Sequence, residues 1–313
     1  QKTAYEILTC DWSSDGALPI FTEIQKPYSA KKIENALRKR QIELHHTMIQ
    51  ASGGSKVLYA YYLKFILHNL KIILKGKILN KTQNEIESYL NLRAEELINE
   101  RDVVLKAFLA KDIEETVNVL KSLGIGEEVE KAYSLYNEKK QIQAFDLHFD
   151  KSFYENLNKT VKNSPDFTIH TLCGMEIDFY NIMTILRGKF WNLDENHLQH
   201  LIVSNTSSES REVFTRMIAA DSIKNSLSEL SSTKYKDLIP QEEDEPIAKF
   251  ERSFERRIYN TMNAQFVRIF GVSTIIAIVR LIDFEIRNLA SIGYGVEQNI
   301  PSQTVLDRMN VKD

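Results

Sequence analysis

One segment of this chain occurs three times: it reads IDFYNIMTILRGK at residues 177–189, FILHNLKIILKGK at 65–77 and FEIRNLASIGYGV at 284–296. In every copy a bulky apolar residue stands four positions before a central asparagine, an isoleucine stands four after it, and a glycine stands seven after it. The asparagines are Asn69, Asn181 and Asn288, and the glycines are Gly76, Gly188 and Gly295. Self-similarity at a fixed period indicates a repeat architecture.

A second, shorter motif precedes each copy at a nearly constant distance. An apolar residue followed by an acid stands 36, 36 and 38 residues before the respective asparagine, as Ile33-Glu34, Phe145-Asp146 and Phe250-Glu251. Two motifs in the same order and at similar spacing indicate a tandem array of units of roughly 105–112 residues. We therefore predict repeats at residues 1–98, 99–207 and 208–313. A weaker echo, Thr3-Ala4-Tyr5 against Thr233-Lys234-Tyr235, implies that the first repeat lacks most of its opening helix.

The chain is poor in residues that break helices. It contains 11 glycines and 6 prolines, and no proline stands between Pro27 and Pro165. Apolar residues recur at helical spacing over residues 58–77, 101–121, 127–160 and 246–270. This pattern predicts an all-α fold of three similar helical lobes. Loops are predicted inside the repeats, where prolines cluster with polar residues, at 15–31, 163–166 and 240–246.

The central asparagine of each copy lies on an apolar helix face. Phe65, Asn69 and Ile73 are spaced four apart and stack on one side of a helix, and the other copies repeat this spacing. A buried amide without a partner costs about 1–3 kcal/mol. We therefore expect each asparagine to bond a backbone group where the chain leaves its helix, as a lock on the angle between two helices. A solvent-facing asparagine at the edge of the apolar stripe is the alternative.

The glycines and the residues after them predict how each helix ends. Glycine tolerates the positive φ of the C′ position just past a helix, so Gly76, Gly188 and Gly295 are expected there. A new helix is expected to start six residues later, with Thr82 and Glu85 as a capping box, Asp194 as an N-cap and Pro301 in a first turn. Each copy is thus predicted to be a helix–corner–helix element.

Four cations stand beside the first two glycines: Lys75, Lys77, Arg187 and Lys189. Cations near a helix C-terminus are favourable by about 0.3–1 kcal/mol, because they face the negative end of the helix dipole. Contact with a partner protein is the second explanation, and it extends to Glu285 and Arg287 in the third copy. Neither Lys-Gly-Lys nor Arg-Gly-Lys has the spacing of a phosphate-binding loop.

Composition and motifs exclude several functions. A net charge of −3 argues against a nucleic-acid binder that relies on bulk positive charge. Two cysteines, Cys10 and Cys173, cannot form a disulfide framework, which favours a reducing compartment. The longest apolar run, 269–279, is too short to cross a bilayer. We find no metal-binding cluster, cofactor fingerprint or catalytic constellation. Six carboxylates fall at repeat positions or on helix faces, which favours a structural or interface role: Glu34, Asp146, Glu176, Asp178, Glu251 and Glu285.

These motifs resemble the C subunit of archaeal and bacterial A/V-type rotary ATPases, whose eukaryotic counterpart is the d subunit of the vacuolar ATPase. The resemblance is carried by residues 178–189 in the second copy, by 284–289 in the third and by the tail 292–301. It covers almost the whole chain beyond residue 30. The first copy departs from the family pattern, because Ile66 and His68 stand where acids are common.

The resemblance implies a non-catalytic central-stalk subunit without a cofactor. Members of this family fold as three similar helical lobes in a funnel-shaped body on the cytoplasmic face of the membrane, with no span of their own. They couple the axle subunits D and F to the ring of proteolipid subunits, in proton or sodium transport and ATP synthesis. An unrelated helical-repeat interaction scaffold is the alternative, although common solenoids repeat every 33–47 residues or so, much less than these units.

Overall fold

The computed structural model of the chain describes residues 29–203, 208–242, 244–267, 271–307 and 309. Several features of the sequence lie outside the described residues: most of the predicted loop at 15–31, the Thr3-Ala4-Tyr5 echo, and Cys10. The described residues contain helices and no strand, which confirms the prediction of an all-α fold.

Fifteen α-helices are present in the described parts of the chain. They are α1 (Ala30–Ala51), α2 (Lys56–Ile78), α3 (Gln83–Glu87), α4 (Arg93–Leu97), α5 (Arg101–Leu109), α6 (Ile113–Leu120), α7 (Gly126–Lys139), α8 (Gln143–Lys162), α9 (Phe167–Phe190), α10 (Glu195–Leu201), α11 (Ser208–Ala219), α12 (Ile223–Ser228), α13 (Pro246–Asn263), α14 (Val272–Glu297) and α15 (Ser302–Leu306). Short 3₁₀ helices occupy Glu229–Ser232, Lys236–Leu238 and Ala264–Val267.

The chain divides into two compact units, one of them discontinuous in sequence. The described part of the discontinuous unit comprises residues 29–53 and 259–309, and its core is the contact between α1 and α14. Phe284 of α14 is buried there and packs edge-to-face against Tyr259, with ring centroids 5.6 Å apart. Gln41 of α1 donates a hydrogen bond to Asp283, which also pairs with Arg280. The three predicted repeats and their arrangement as lobes remain a prediction.

The second unit, residues 54–258, is a continuous stack of helices. Helix α2 packs against α8, α8 packs against α7 and α9, and α9 packs against α10 and α11. Buried aromatic residues fill this core: Tyr61, Tyr62, Phe145, Phe149, Phe250 and Phe254. The helix boundaries at Asp166 and Pro246 lie in the predicted loops at 163–166 and 240–246.

Helix α2 is long and apolar enough, by length and composition, to cross a membrane, which the prediction from the run at 269–279 does not cover. Within its most apolar 18-residue window, 61% is buried inside the protein. Leu58, Leu70 and Ile73 of this helix have no exposed surface. Burial of this kind is typical of a central helix in a packed core.

Two of the predicted long helices are each divided into two. The segment 101–121 breaks at Ala110, and Asp112 caps the new helix α6 by accepting a hydrogen bond from the Glu115 amide at 2.9 Å. The segment 127–160 breaks at Lys140, which adopts a left-handed conformation with φ of 52°. Neither break involves glycine or proline, although Asp112 followed three residues later by Glu115 is a typical helix start.

Candidate functional site: three helix corners

The repeated segment folds into the same type of turn at three places, which we call corner 1 (residues 69–91), corner 2 (181–203) and corner 3 (288–307). In corner 1 the Lys81 amide bonds the Gly76 carbonyl at 2.9 Å, and the Asn80 amide bonds the Lys77 carbonyl at 3.1 Å. This is a Schellman motif, which satisfies the last carbonyls of a helix. Corners 2 and 3 have the same two bonds, Leu193 to Gly188 with Asn192 to Lys189, and Ile300 to Gly295 with Asn299 to Val296.

The residue with positive φ at each corner is an asparagine, so the prediction that the glycines occupy C′ was wrong. Gly76, Gly188 and Gly295 lie inside α2, α9 and α14, and their φ values are not positive. The left-handed residues stand four positions later: Asn80 with φ of 52°, Asn192 with 56° and Asn299 with 54°. Asparagine tolerates this conformation better than other residues with a side chain, glycine excepted.

The glycines are needed because the next short helix approaches them closely. A Cβ atom placed on Gly76 would lie 2.7 Å from Cγ1 of Ile86, and one on Gly295 would lie 2.6 Å from Cγ2 of Val305. A Cβ atom on Gly188 would overlap Cδ2 of Leu198. In all three corners the residue that fills this space stands ten positions after the glycine. The glycine thus sets the packing distance between the two helices of a corner.

The new helices begin where the sequence predicted. Thr82 accepts a hydrogen bond from the Glu85 amide at 3.3 Å, and its own amide donates to the Glu85 carboxylate at 2.9 Å, which forms the capping box. Asp194 accepts from the His197 amide at 2.9 Å as the N-cap of α10. Pro301 occupies the N-cap position of α15, one residue before the predicted first turn.

Asn69 and Asn181 each clamp a backbone group 22 residues further along the chain. Asn181 is fully buried; its Nδ2 donates to the Val203 carbonyl at 2.7 Å, and its Oδ1 accepts from the Val203 amide at 2.8 Å. Asn69 makes the same pair of bonds with Asn91, at 2.8 Å and 3.3 Å. The clamped residue follows the next short helix, so the bonds span the whole corner and not only the helix end. Asn288 is half-buried, and the residue 22 positions after it, Asn310, lies outside the described residues.

Lys77 and Lys189, next to the glycines, reach the C-terminal ends of other helices. The Lys77 ammonium donates to the carbonyl of Ala110, at the end of α5. The Lys189 ammonium donates to the carbonyls of Ile218, at 2.7 Å, and Ala220, at the end of α11. Burial lowers the pKa of both lysines. The explanation that these cations face the negative end of a helix dipole therefore has structural support. Each lysine, however, contacts the C-terminal end of another helix and not that of its own.

The residue immediately before each glycine contacts the acid of the second sequence motif. Lys75 pairs with Asp146 at 2.9 Å, and Arg187 pairs with Glu251 at 2.7 Å. At the third corner Tyr294 stands in this position, and its hydroxyl donates to Glu34 at 2.9 Å. In terms of the predicted repeats, corners 1 and 2 each contact the acid of the following repeat, and corner 3 contacts the acid of the first. The order of contacts along the sequence is cyclic.

Other predicted residues have separate environments. Asp178 of α9 is buried, accepts a hydrogen bond from Tyr235 at 2.6 Å and lies 3.3 Å from the Lys234 ammonium. The segment Thr233-Lys234-Tyr235 therefore contacts α9, the helix that leads into corner 2. Burial, and then the nearby Asp178 charge, raise the pKa of Tyr235.

Glu176 accepts a hydrogen bond from Tyr61 at 3.1 Å. Glu285 and Arg287 are exposed, and Arg287 lies over the Phe284 ring. A partner-binding role remains a prediction for six charged residues: Lys75, Lys77, Arg187, Lys189, Glu285 and Arg287.

The described residues include no group of three or more histidine, cysteine or acidic side chains placed to hold a metal ion. A cleft of about 450 Å³ in the second unit is lined by Tyr59, Leu63, Glu100, Ile125 and Phe153, among others. Burial raises the pKa of Glu100 at its edge, and the Gly124 amide bonds this residue. The corners, where the sequence motifs converge, are therefore the candidate functional site.

Comparison with known proteins identifies the family. The model of the ATP synthase (C/AC39) subunit family matches residues 19–308. The chain belongs to this family. Similar proteins include the C subunit of the A-type ATP synthase of Methanocaldococcus jannaschii, which is 24% identical over 302 residues that cover 92% of this chain and 73% of the relative. Its counterpart in Haloferax volcanii is 24% identical over 282 residues, covering 87% and 79%. That of Halorubrum lacusprofundi is 29% identical over 187 residues, covering 59% and 51%.

Membership confirms the resemblance read from the sequence motifs. This C/AC39 chain is a subunit of a rotary ATP synthase or ATPase, and the expectation that it is an accessory part and not a catalytic one is confirmed. Two positions of its corners were not predicted from the sequence: the left-handed asparagine four residues after each glycine, and the apolar residue ten after it. Both recur in all three copies, so alignment of the repeats would have revealed them.

Proposed function

We propose that this C/AC39 protein is the coupling part of the central stalk, between the axle subunits D and F and the ring of proteolipid subunits. It lies on the cytoplasmic face of the membrane as a peripheral subunit and carries torque during proton or sodium transport. Torque crosses such a part through non-covalent contacts, so the part must resist bending. Stable coupling also requires interfaces of standard size, roughly 1,200 Å² or more each.

The observation that best supports this role is the cyclic order of the corner contacts. In corners 1 and 2, a backbone clamp, a close glycine contact and a capped helix start fix the angle between helices, and corner 3 shares the close glycine contact. Between repeats, the residue before the glycine contacts the next acid: Lys75 to Asp146, Arg187 to Glu251 and Tyr294 to Glu34. A load applied at one repeat is therefore passed to the next through direct contacts, which suits a part that transmits torque.

Reconstitution tests this role directly. We expect the complete complex to capture the chain together with the axle and proteolipid subunits in fixed stoichiometry. In proteoliposomes, the complex assembled without the chain should hydrolyse ATP without pumping ions, and adding the chain back should restore pumping. Full pumping without the chain would overturn the proposal. If the chain binds only proteins that are not part of the rotary complex, the interaction-scaffold alternative would be favoured.

A further inference from the structure

A buried carboxylate lies just after corner 1 and has no cation as a partner among the residues that the structure describes. Glu95, in α4, has no exposed surface, and its two oxygens accept from Nδ2 of Asn69 at 2.8 Å and 3.1 Å. Among the described residues, no lysine, arginine or histidine forms an ion pair with it. A buried carboxylate is almost always paired, because an isolated charge is poorly stabilised in the protein interior.

The groups around Glu95 offer little compensation for a negative charge. Tyr62 of α2 directs its hydroxyl to the Ala94 carbonyl at 3.0 Å, and Glu100, just before α5, adds a second negative charge nearby. On α4 itself, Arg93 pairs with Glu96 at 3.0 Å. Burial is the largest influence and raises the pKa of Glu95 to about 7, although hydrogen bonds from Asn69 and from the backbone amide of Glu95 itself oppose it.

Helix α4, which carries Glu95, is short and has no side-chain cap at its start. It has five residues, and its N-cap, Leu92, makes no side-chain capping bond. It ends before Asn99, whose φ is 61°. Since a helix this short has little stability of its own, its position depends on tertiary contacts. The Asn69 amide supplies one of these contacts, to Glu95, and also bonds the Asn91 carbonyl in the segment just before the helix.

We propose that Glu95 is a proton-operated latch on corner 1, closed when the carboxyl is protonated and released when it ionises. In the closed state the neutral acid accepts the Asn69 hydrogen bond without a buried charge, and residues 91–97 stay packed on α2. Ionisation places an uncompensated charge in the core, and local opening of α4 relieves it by hydration. Among the described residues of corner 2, Asn181 bonds Val203 and shows no counterpart of the Asn69–Glu95 contact. The stiffness of this corner thus depends on the pH around the chain.

Hydrogen–deuterium exchange on the full chain tests the latch. Protection of residues 91–100, corrected for the intrinsic exchange rate, should fall roughly 30-fold between pH 5.5 and pH 8, the change expected when the carboxyl has its ordinary pKa in the open state. In Glu95→Gln, which keeps the amide acceptor but cannot ionise, protection should change by less than about twofold. The matched control is Glu96→Gln, an exposed neighbour, which should keep the wild-type pH dependence.

A carboxyl carbon NMR titration of the wild-type protein gives a second readout that does not depend on a variant folding. We expect one glutamate with a midpoint near pH 7, absent from Glu95→Gln. Identical pH profiles of residues 91–100 in the wild type and in Glu95→Gln would overturn the proposal. So would a Glu95 carboxyl that titrates at the ordinary value near pH 4.5 in the folded chain.

Discussion

The hydroxyl of Tyr294 donates a hydrogen bond of 2.9 Å to Glu34, a residue 260 positions earlier in the sequence. This bond raises the pKa of the Tyr294 phenol. It occupies the place that Lys75–Asp146 and Arg187–Glu251 occupy in the other two corners, with a neutral donor in place of a cation. Two sequence motifs that were recognised separately are therefore the two sides of one recurring contact.

The tight contact at Gly188 predicts a specific response to a methyl group. Gly188→Ala should destabilise the chain by about 1–3 kcal/mol, because the new Cβ would overlap Leu198 and overpacked cores must shift. The double variant Gly188→Ala/Leu198→Ala should be more stable than Leu198→Ala, since alanine then occupies free space and favours the helix. Chemical denaturation measures both. Gly124→Ala, where a Cβ meets nothing within 4 Å, is the control. A neutral Gly188→Ala variant would contradict the close approach.

The clamp at Asn181 predicts a larger loss. Asn181→Leu leaves the amide and the carbonyl of Val203 without their partner in a buried site, and we expect a loss of about 2–4 kcal/mol in the free energy of unfolding. The exposed Asn196, replaced by leucine, should change stability by less than about 0.5 kcal/mol. Equal melting temperatures of the two variants would argue against the clamp.

Lys189 is expected to act within the chain. Lys189→Met keeps most of the side-chain length but removes the donor to Ile218 and Ala220, and it should cost about 1–2 kcal/mol of stability. Lys236→Met, at an exposed lysine, serves as the control. A Lys189→Met variant with unchanged stability that fails to assemble with the rotary complex would instead favour the partner-contact explanation.

The pair Lys75–Asp146 predicts a small coupling energy. Both side chains are about a third exposed, so a double-mutant cycle should yield less than about 1 kcal/mol. Lys75→Glu should weaken the contact, and Lys75→Glu/Asp146→Lys should restore part of the loss. Lys71, which lies 3.9 Å from Asp146, is left unchanged in every variant. Strictly additive effects of the two single changes would show that the contact contributes nothing measurable.

The raised pKa of Glu95 predicts how global stability responds to pH. The folded chain holds the proton up to about pH 7, whereas the unfolded chain releases it near its ordinary value of 4.5. The stabilisation from the bound proton is therefore complete below about pH 4.5 and is lost as pH rises to about 7, a difference of about 3 kcal/mol. Urea unfolding of Glu95→Gln and of the wild type across this range should show the difference. Parallel pH curves for the two proteins would contradict it.

The sequence predicted those parts of the structure that depend on local chemistry. Helix α2 was placed within two residues at its start and one at its end, because its apolar stripe is continuous, and Thr82 and Asp194 were placed as caps because their roles need only neighbouring residues. The breaks at Ala110 and Lys140 were missed because neither contains a glycine or a proline, although Asp112 after the first break is a good N-cap.

The role of the glycines was misjudged for a different physical reason. A glycine before a turn suits either a positive φ or a close approach of another helix, and the sequence of one copy does not distinguish them. The approach of Ile86 to Gly76 depends on where the next helix packs, which is a tertiary relationship. Likewise, the pairing of Lys75 with an acid 71 residues later cannot be read from spacing alone.

The constant interval of ten residues between each glycine and the apolar side chain that covers it has a consequence for how the gene can vary. Adding or deleting one residue between Gly188 and Leu198 would shift the register of α10 by about 100° of helix rotation. Leu198 would then no longer face the space beside Gly188. The length of this connection is therefore constrained, in addition to the residues that form its turn and its cap.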